Sequence, residues 1–317
     1  MPWLEDTFRP ASGLNNRHAQ TLFAYYRRQP PRARWVRQRF ELADGDFVDL
    51  DVARGETTRP TLLLLPGLEG STDSGYMHLM AGLGAARGWT VVGLNFRSCS
   101  GVLNRKLRSY SSGDFADVHA VCATLTGTRY AVGFSLGASV LLNYVARHDA
   151  PALDAAVGIS PPFDLDQGAT LLDADTVFSR GYVGTFLKTM KEKALQKALR
   201  FPGKLDAGAI ARTRSIREFD GLVTAPAFGF SSAEHYYREC SPGPLLKRVK
   251  VPTRIIASED DPIAPANRAL ARESAHALLH AQICARGGHN AFVEGSVWRP
   301  EFFAEREAIN WLAAQPS

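Results

Sequence analysis

Gly133-Phe134-Ser135-Leu136-Gly137 sits at the junction of two differently patterned segments. Upstream, Tyr130 to Phe134 is a short apolar run of the kind that forms a buried strand, and downstream Leu136 to Arg147 reads as a helix. A serine in a sharp strand-to-helix turn is forced into strained backbone geometry, and flanking glycines make that possible because they bring no β-carbon into the crowded turn. The pentapeptide alone is a weak signal, since glycine and serine are common residues. Its position between a strand and a helix makes it specific, because such a turn lifts the hydroxyl clear of a sheet edge as a nucleophile requires.

Working outward, other apolar runs too short for helices are bounded by turn residues and separated by helical stretches. These are Thr61 to Leu65, Thr90 to Leu94, Leu153 to Ile159, Thr253 to Ala257 and Ala281 to Ala285. Such runs are strands buried on both faces of a parallel sheet. Ahead of them Trp35 to Val52 alternates around Ala43-Asp44-Gly45-Asp46, which predicts a β-hairpin. The expected fold is therefore α/β: a mostly parallel, doubly wound sheet entered through an N-terminal antiparallel hairpin. The pattern breaks between Ser160 and Pro252, where the chain is far longer than one crossover helix needs. A helical lid insertion is expected at about residues 160–250, within a single domain spanning 1–317. Inside it, Leu187, Met190, Ala194, Ala198 and Phe201 keep helical spacing. Lys193, Lys197, Arg200 and Lys204 fall on another face of that helix, which reads as solvated.

Composition excludes several classes. With 45% apolar and 22% charged residues the chain is neither disordered nor fibrous. The densest apolar run, Leu62 to Leu65, stops at Pro66, well short of the roughly 20 residues that span a bilayer. The acidic start Glu5-Asp6 is unlike a signal peptide, so a cytoplasmic protein is expected. Cys99, Cys122, Cys240 and Cys284 are too far apart for a zinc or redox motif, which predicts reduced thiols, no metal and no cofactor. Gly82-Leu83-Gly84-Ala85-Ala86-Arg87 is one residue short of a dinucleotide fingerprint and precedes a strand instead of following one.

The net charge of +5 is an N-terminal property, because residues 1–40 hold eight arginines against Glu5 and Asp6. A nucleic-acid protein spreads its basic residues over a whole face, so no nucleic-acid partner is expected. Residues 1–34 read instead as a basic arm. Its aromatics Phe23, Tyr25 and Tyr26, with Trp35 just beyond it, are expected to pack on the core and its arginines to turn to solvent or to acidic surface residues, leaving at most weak peripheral contact with an anionic membrane.

A serine hydroxyl is a poor nucleophile at neutral pH and needs an imidazole to take its proton and a carboxylate to orient that imidazole. Behind a strand-turn-helix serine the chain order is serine, acid, histidine. Glu259-Asp260-Asp261-Pro262 follows the strand ending at Ala257. Asp261 is the better candidate, since hydrolases built this way commonly carry the acid four residues before a proline such as Pro265; Asp260 stays open as the alternative. Among the histidines, His18 and His78 precede the serine, His119 and His148 lie in helical stretches before the acid, and His235 lies in the insertion. His276 and His280 lack further metal-ligand partners at useful spacing. His289 remains, in the flexible turn Gly287-Gly288-His289-Asn290 after the last strand. A tetrahedral intermediate also needs two aimed backbone donors. The amide of Leu136 follows the nucleophile directly, and the loop Pro66-Gly67-Leu68-Glu69-Gly70 after the first parallel strand offers the amide of Leu68.

Taken together, these segments resemble the α/β-hydrolase superfamily, and within it the YheT-type branch, the AB hydrolase 4 family of predicted esterases. The resemblance runs through Phe8-Arg9-Pro10, Asn16-Arg17-His18-Ala19-Gln20-Thr21, Pro66-Gly67-Leu68-Glu69-Gly70-Ser71 and Asn95-Phe96-Arg97-Ser98-Cys99-Ser100-Gly101 with Asn104-Arg105. It continues in Gly133 to Gly137, Leu141-Leu142-Asn143-Tyr144, Glu218-Phe219-Asp220, Asp260-Asp261-Pro262 and Gly287-Gly288-His289. It implies an α/β-hydrolase fold, a triad of Ser135, Asp261 and His289, and hydrolysis of small-molecule or lipid carboxylic esters. An acyltransferase could use the same triad, and a non-catalytic scaffold is the remaining alternative. Three positions depart from the family pattern: Pro66 where histidine is usual, and Ala138 and Ala291 where glycine is frequent. None supplies a reacting atom.

Overall fold

The computed structural model describes residues 2–316; Met1 and Ser317, the ends of the expected single domain, lie outside the described residues. The strands are β1 (Trp3–Leu4), β2 (Val36–Glu41), β3 (Phe47–Ala53), β4 (Thr61–Leu65), β5 (Thr90–Asn95), β6 (Arg129–Phe134), β7 (Ala155–Ile159), β8 (Thr253–Ser258) and β9 (Leu279–Cys284). They form one nine-stranded sheet in the order β1-β9-β8-β7-β6-β4-β5-β3-β2. Strands β4 to β9 pair in parallel, and β2 and β3 form an antiparallel hairpin joined to β5. Strand β1, which no pattern in the sequence announced, adds to β9 in parallel over two residues. A separate antiparallel pair, β10 (Val293–Gly295) and β11 (Pro300–Phe302), follows the last parallel strand.

The continuous apolar runs make sense once the two faces of the sheet are separated. Side chains alternate along a strand, so an unbroken apolar run feeds two cores at once. In β4, Leu63 and Leu65 join one cluster while Leu62 and Leu64 join the other, and all four are fully buried. Helices α1 (Arg17–Arg27), α2 (Gly75–Ala85), α3 (Ala116–Cys122) and α4 (Leu136–Arg147) follow one another along the chain. The first core receives Val118 and Val121 of α3 and Val140, Leu141 and Tyr144 of α4. The second receives Met77 and Met80 of α2 and, near the C-terminus, Phe303, Ile309 and Leu312.

Between β7 and β8 the chain runs through α5 (Leu165–Leu172), α6 (Val177–Arg200), α7 (Ala207–Arg212), α8 (Ile216–Phe219), α9 (Ala225–Ala227) and α10 (Ala233–Cys240). Helices α11 (Arg268–Ser274) and α12 (Phe303–Ala313) complete the chain. In α6 the expected apolar positions Leu187, Met190 and Ala194 are buried. The solvated basic face expected there is corrected at two of its four positions, Lys193 and Lys197, while Arg200 and Lys204 are exposed as expected. Lys197 is buried, and its ammonium donates to Leu107 O at 2.9 Å and Ser109 Oγ at 2.6 Å. Lys193 is largely covered, while Leu199 is 83% exposed. The reason is that α6 has protein on two sides, and the lysine stems fill apolar space while their heads reach carbonyl and carboxylate oxygens. Burial pulls the Lys197 ammonium down to about 7.

The N-terminal arm departs from expectation in both of its parts. Phe23 and Trp35 pack against the core, but Tyr25 and Tyr26 are 72% and 64% exposed, and Arg28, two residues on, goes inside. Arg28 is buried, its Nε 3.2 Å from Glu305 Oε1, and it donates to the carbonyl of Asn290. Helical register explains the inversion: Gln20 and Ala24 are four apart on the inner face of α1, and Arg28 caps that face, its amide donating to Ala24 O, which turns Tyr25 and Tyr26 outward. Arg37 and Arg39 turn to acidic residues, Arg37 forming a two-point pair with Asp51 and Arg39 one with Asp49 across the hairpin. Removing one partner of a buried ion pair leaves an unpaired charge, so Arg28→Ala should lower unfolding free energy by about 3 kcal/mol in chemical denaturation. The exposed neighbour provides the control, with Arg27→Ala within about 0.5 kcal/mol of the parent; equal effects at both positions would reject the assignment.

Candidate active site

Ser135 occupies the turn between β6 and α4 with φ of 53° and ψ of −119°, the strained left-handed side of the backbone map. Its amide donates to Ile159 O at 2.9 Å, which fastens the turn to β7. Both flanking glycines are sterically required. A β-carbon on Gly133 would meet Gly137 O at 2.5 Å, and one on Gly137 would meet Pro66 O at 2.4 Å.

Asp261 lies just after β8, fully buried, and its Oδ1 accepts from the amides of Ile263 and Ala264 at 2.8 Å each. His289 follows β9. Its Nδ1 lies 2.9 Å from Asp261 Oδ2, and its Nε2 lies 2.7 Å from Ser135 Oγ. The three side chains chosen from sequence are thus brought into one hydrogen-bonded line. Asp260 is not part of it: that carboxyl turns toward Ser258, and burial pushes it up to about 6.

The two backbone donors stand beside the serine. A β-carbon on Gly67 would lie 3.2 Å from Ser135 Cβ, so the loop after β4 lies against Ser135. In that loop the Gly67 amide donates to the Tyr76 hydroxyl, the Glu69 amide to the Tyr110 hydroxyl and the Gly70 amide to Gly67 O. Among the described residues, the Leu68 amide has no acceptor, and neither has the Leu136 amide at the open N-terminus of α4. Leu68, Ser135 and Leu136 face a cavity of about 150 Å³. Its far walls, including Leu172, Met190, Phe219 and Val223, come from the segment between β7 and β8, and they are largely apolar, with Lys193, Lys197 and Asp220 the charged residues among them.

Sequence reasoning missed the groups that hold the histidine loop. The His289 amide donates to Thr21 Oγ1 at 2.9 Å, and the Asn290 amide donates to Ser160 Oγ at 3.0 Å. Gln20 exchanges two hydrogen bonds with Val293, pinning β10 to α1. His18, set aside because it precedes the serine, stacks on Phe178 at 4.0 Å and bonds the Tyr182 hydroxyl, joining α1 to α6. The signal was the segment Asn16 to Thr21, which carried resemblance but no assigned role.

A serine on a strained strand-to-helix turn, lined up with a histidine and a buried carboxylate after later strands, defines a class of folds. The chain belongs to the alpha/beta hydrolase family, whose model matches residues 62–306. It is 36% identical to YheT of Escherichia coli (strain K12), over 96% of this chain and 92% of that one. It is also 27% identical to human phospholipase ABHD3, over 94% of this chain and 76% of that one. A monoacylglycerol lipase of Saccharomyces cerevisiae is 28% identical over 66% of this chain and 49% of its own. Among solved structures, E-2-(acetamidomethylene)succinate hydrolase superposes with a TM-score of 0.55 at 17% identity, covering 88% of this chain and all of that one. Mouse alpha/beta hydrolase domain-containing protein 10 gives 0.54 at 15% identity, covering 88% of this chain and 97% of that one. At those identities the structural likeness concerns the fold alone.

Proposed function

We propose that this chain is a serine hydrolase that cleaves carboxylic esters, acyl lipids among them, through an acyl-enzyme intermediate. The observation that carries the reading is the unbroken hydrogen-bond line from Ser135 Oγ through both ring nitrogens of His289 to Asp261. His289 Nε2 takes the Ser135 proton as Oγ attacks the ester carbonyl carbon, and Asp261 keeps the ring's other proton on Nδ1. The oxyanion that forms is met by the amides of Leu68 and Leu136. Collapse expels the alcohol, which receives the proton from His289. A water molecule then gives its proton to His289 and attacks the acyl carbon, releasing the acid and restoring Ser135. No cofactor enters this scheme.

The apolar cavity beside Ser135 suits an acyl chain, and lipase and phospholipase relatives support an acyl lipid as substrate. The helices from α5 to α10 serve as a lid within a single domain. The chain works in the cytoplasm in this reading, supported by four free cysteines; no described helix is long and apolar enough to cross a membrane. Weak contact with an anionic membrane surface fits the exposed Tyr25, Tyr26 and Arg27 in the last turn of α1.

The test is a panel of esters of graded acyl length, given to the pure protein in solution and in anionic vesicles. Hydrolysis should peak at a limited range of chain lengths, with the vesicle advantage lost in moderate salt. Transfer to added alcohols or thiols in place of hydrolysis would favour an acyltransferase. No turnover of any ester, together with no labelling by an active-site-directed phosphonate, would overturn the reading.

A further inference from the structure

The loop that carries the Leu68 amide is held by groups outside the catalytic line. Glu69, the next residue, has φ of 58°, a conformation that a β-carbon disfavours and that something must therefore maintain. Two side chains do so. The Tyr110 hydroxyl accepts from the Glu69 amide at 3.0 Å and donates to Glu69 Oε1 at 2.7 Å. The same Oε1 accepts from Lys193 Nζ at 2.6 Å. Glu69 is nine-tenths buried, with a side chain 9% exposed, and Lys193 is its charged partner. Lys193 comes from α6, in the long excursion between β7 and β8, and faces the same cavity as Leu68 and Ser135. A further contact of its ammonium, 3.4 Å to Cys99 Sγ, places it between two loops of the sheet edge.

We infer that Lys193 is a positioning residue for the oxyanion hole: its ammonium cancels the Glu69 carboxylate and, through that carboxylate, keeps the Leu68 amide aimed at the developing oxyanion. The inference deepens the ester-hydrolase reading and rests on it. Its physics is simple. A poorly solvated carboxylate one residue from an oxyanion donor repels the negative charge that the donor exists to stabilise, unless a cation is fixed against it. Burial by itself pulls an ammonium down, but Cys99 and Glu69 reverse that here and hold Lys193 above its ordinary value, so the cation persists at neutral pH. Because the cation stands on α6, the oxyanion hole is complete only while α6 is docked. Lid position and catalytic competence become one variable.

The experiment measures kcat and KM on a p-nitrophenyl ester, together with the affinity of a trifluoromethyl ketone, which adds Ser135 and places an oxyanion in the hole. Lys193→Met should lower kcat about 10- to 100-fold, less than loss of a donor outright, with KM changed by less than about 3-fold. Ketone affinity should fall in proportion to kcat/KM. Lys193→Arg should recover most of the loss. The double variant Glu69→Gln with Lys193→Met should be faster than Lys193→Met alone, because the uncompensated charge is gone; a purely structural role gives no such recovery. If Lys193→Met does not fold, Tyr110→Phe, which frees the Leu68 loop while leaving the Lys193–Glu69 pair and α6 in place, should lower kcat and ketone affinity together, and an unaffected kcat there overturns the inference. An active wild type with an unaffected kcat in Lys193→Met, or a double variant slower than either single one, overturns the inference alone. A wild type without activity on any ester removes the ester-hydrolase reading as well.

Discussion

Ser135→Ala is expected to lower ester hydrolysis by at least about 10³-fold while leaving the fold unchanged. The expectation follows from what that one oxygen does. Ser135 Oγ is the atom 2.7 Å from His289 Nε2, and no second hydroxyl stands at the tip of the turn. Without it the remaining groups can still bind ester and polarise the carbonyl through the two amides, which sets the residual rate well above that of water but far below that of the parent. Alanine removes no packing atom other than the hydroxyl and keeps the backbone strain at this position, so the thermal midpoint should stay within a few degrees. The check is steady-state kinetics on a reactive ester with phosphonate labelling of the same preparation. Undiminished turnover in a preparation free of contaminating esterase would remove Ser135 from the mechanism.

The sheet was readable because each of its strands states its own environment. A strand buried on both faces is largely apolar, and the runs in β4 through β7 are short and bounded, so local pattern and tertiary position agree; β8 and β9 bury Arg254 and Gln282 as well, hydrogen-bonded to each other. The serine, acid and histidine were readable for a different reason: the order in the chain and the position after particular strands leave few candidates. What escaped detection depends on partners distant in sequence. Lys193 and Lys197 have the spacing of a wetted helix face, and only the loop from Asn104 to Tyr110, folded against α6, shows why they are covered. Arg28 looks like one more arginine in a basic arm until Glu305 meets it from α12. Thr21 is an ordinary helix residue until the His289 turn arrives from the other end of the chain. Even β1 is too short for any periodicity and exists because β9 offers it an edge.

The two adjacent carboxylates provide a sharper test of the site than either does alone. Asp261→Asn should reduce kcat by on the order of 10³ to 10⁴, because an amide facing Nδ1 can donate as well as accept and so favours the wrong tautomer of His289. Geometry should survive, since Ile263 and Ala264 can still donate to the side-chain oxygen that replaces Oδ1. Asp260→Asn should change kcat by less than about 3-fold, because that side chain makes no contact with His289. Its effect should appear in stability instead. Burial raises the Asp260 carboxyl to about 6, above its ordinary value, so the folded state holds that proton more tightly than the unfolded state does. Its contribution to stability is therefore fully present below about pH 4 and is lost as pH rises toward about 6. In Asp260→Asn that loss cannot occur, so denaturation midpoints followed between those limits should fall less with rising pH than in the parent. Reversal of the kinetic order, with Asp260→Asn the slower enzyme, would transfer the orienting role to Asp260 and require the turn after β8 to rearrange when substrate binds.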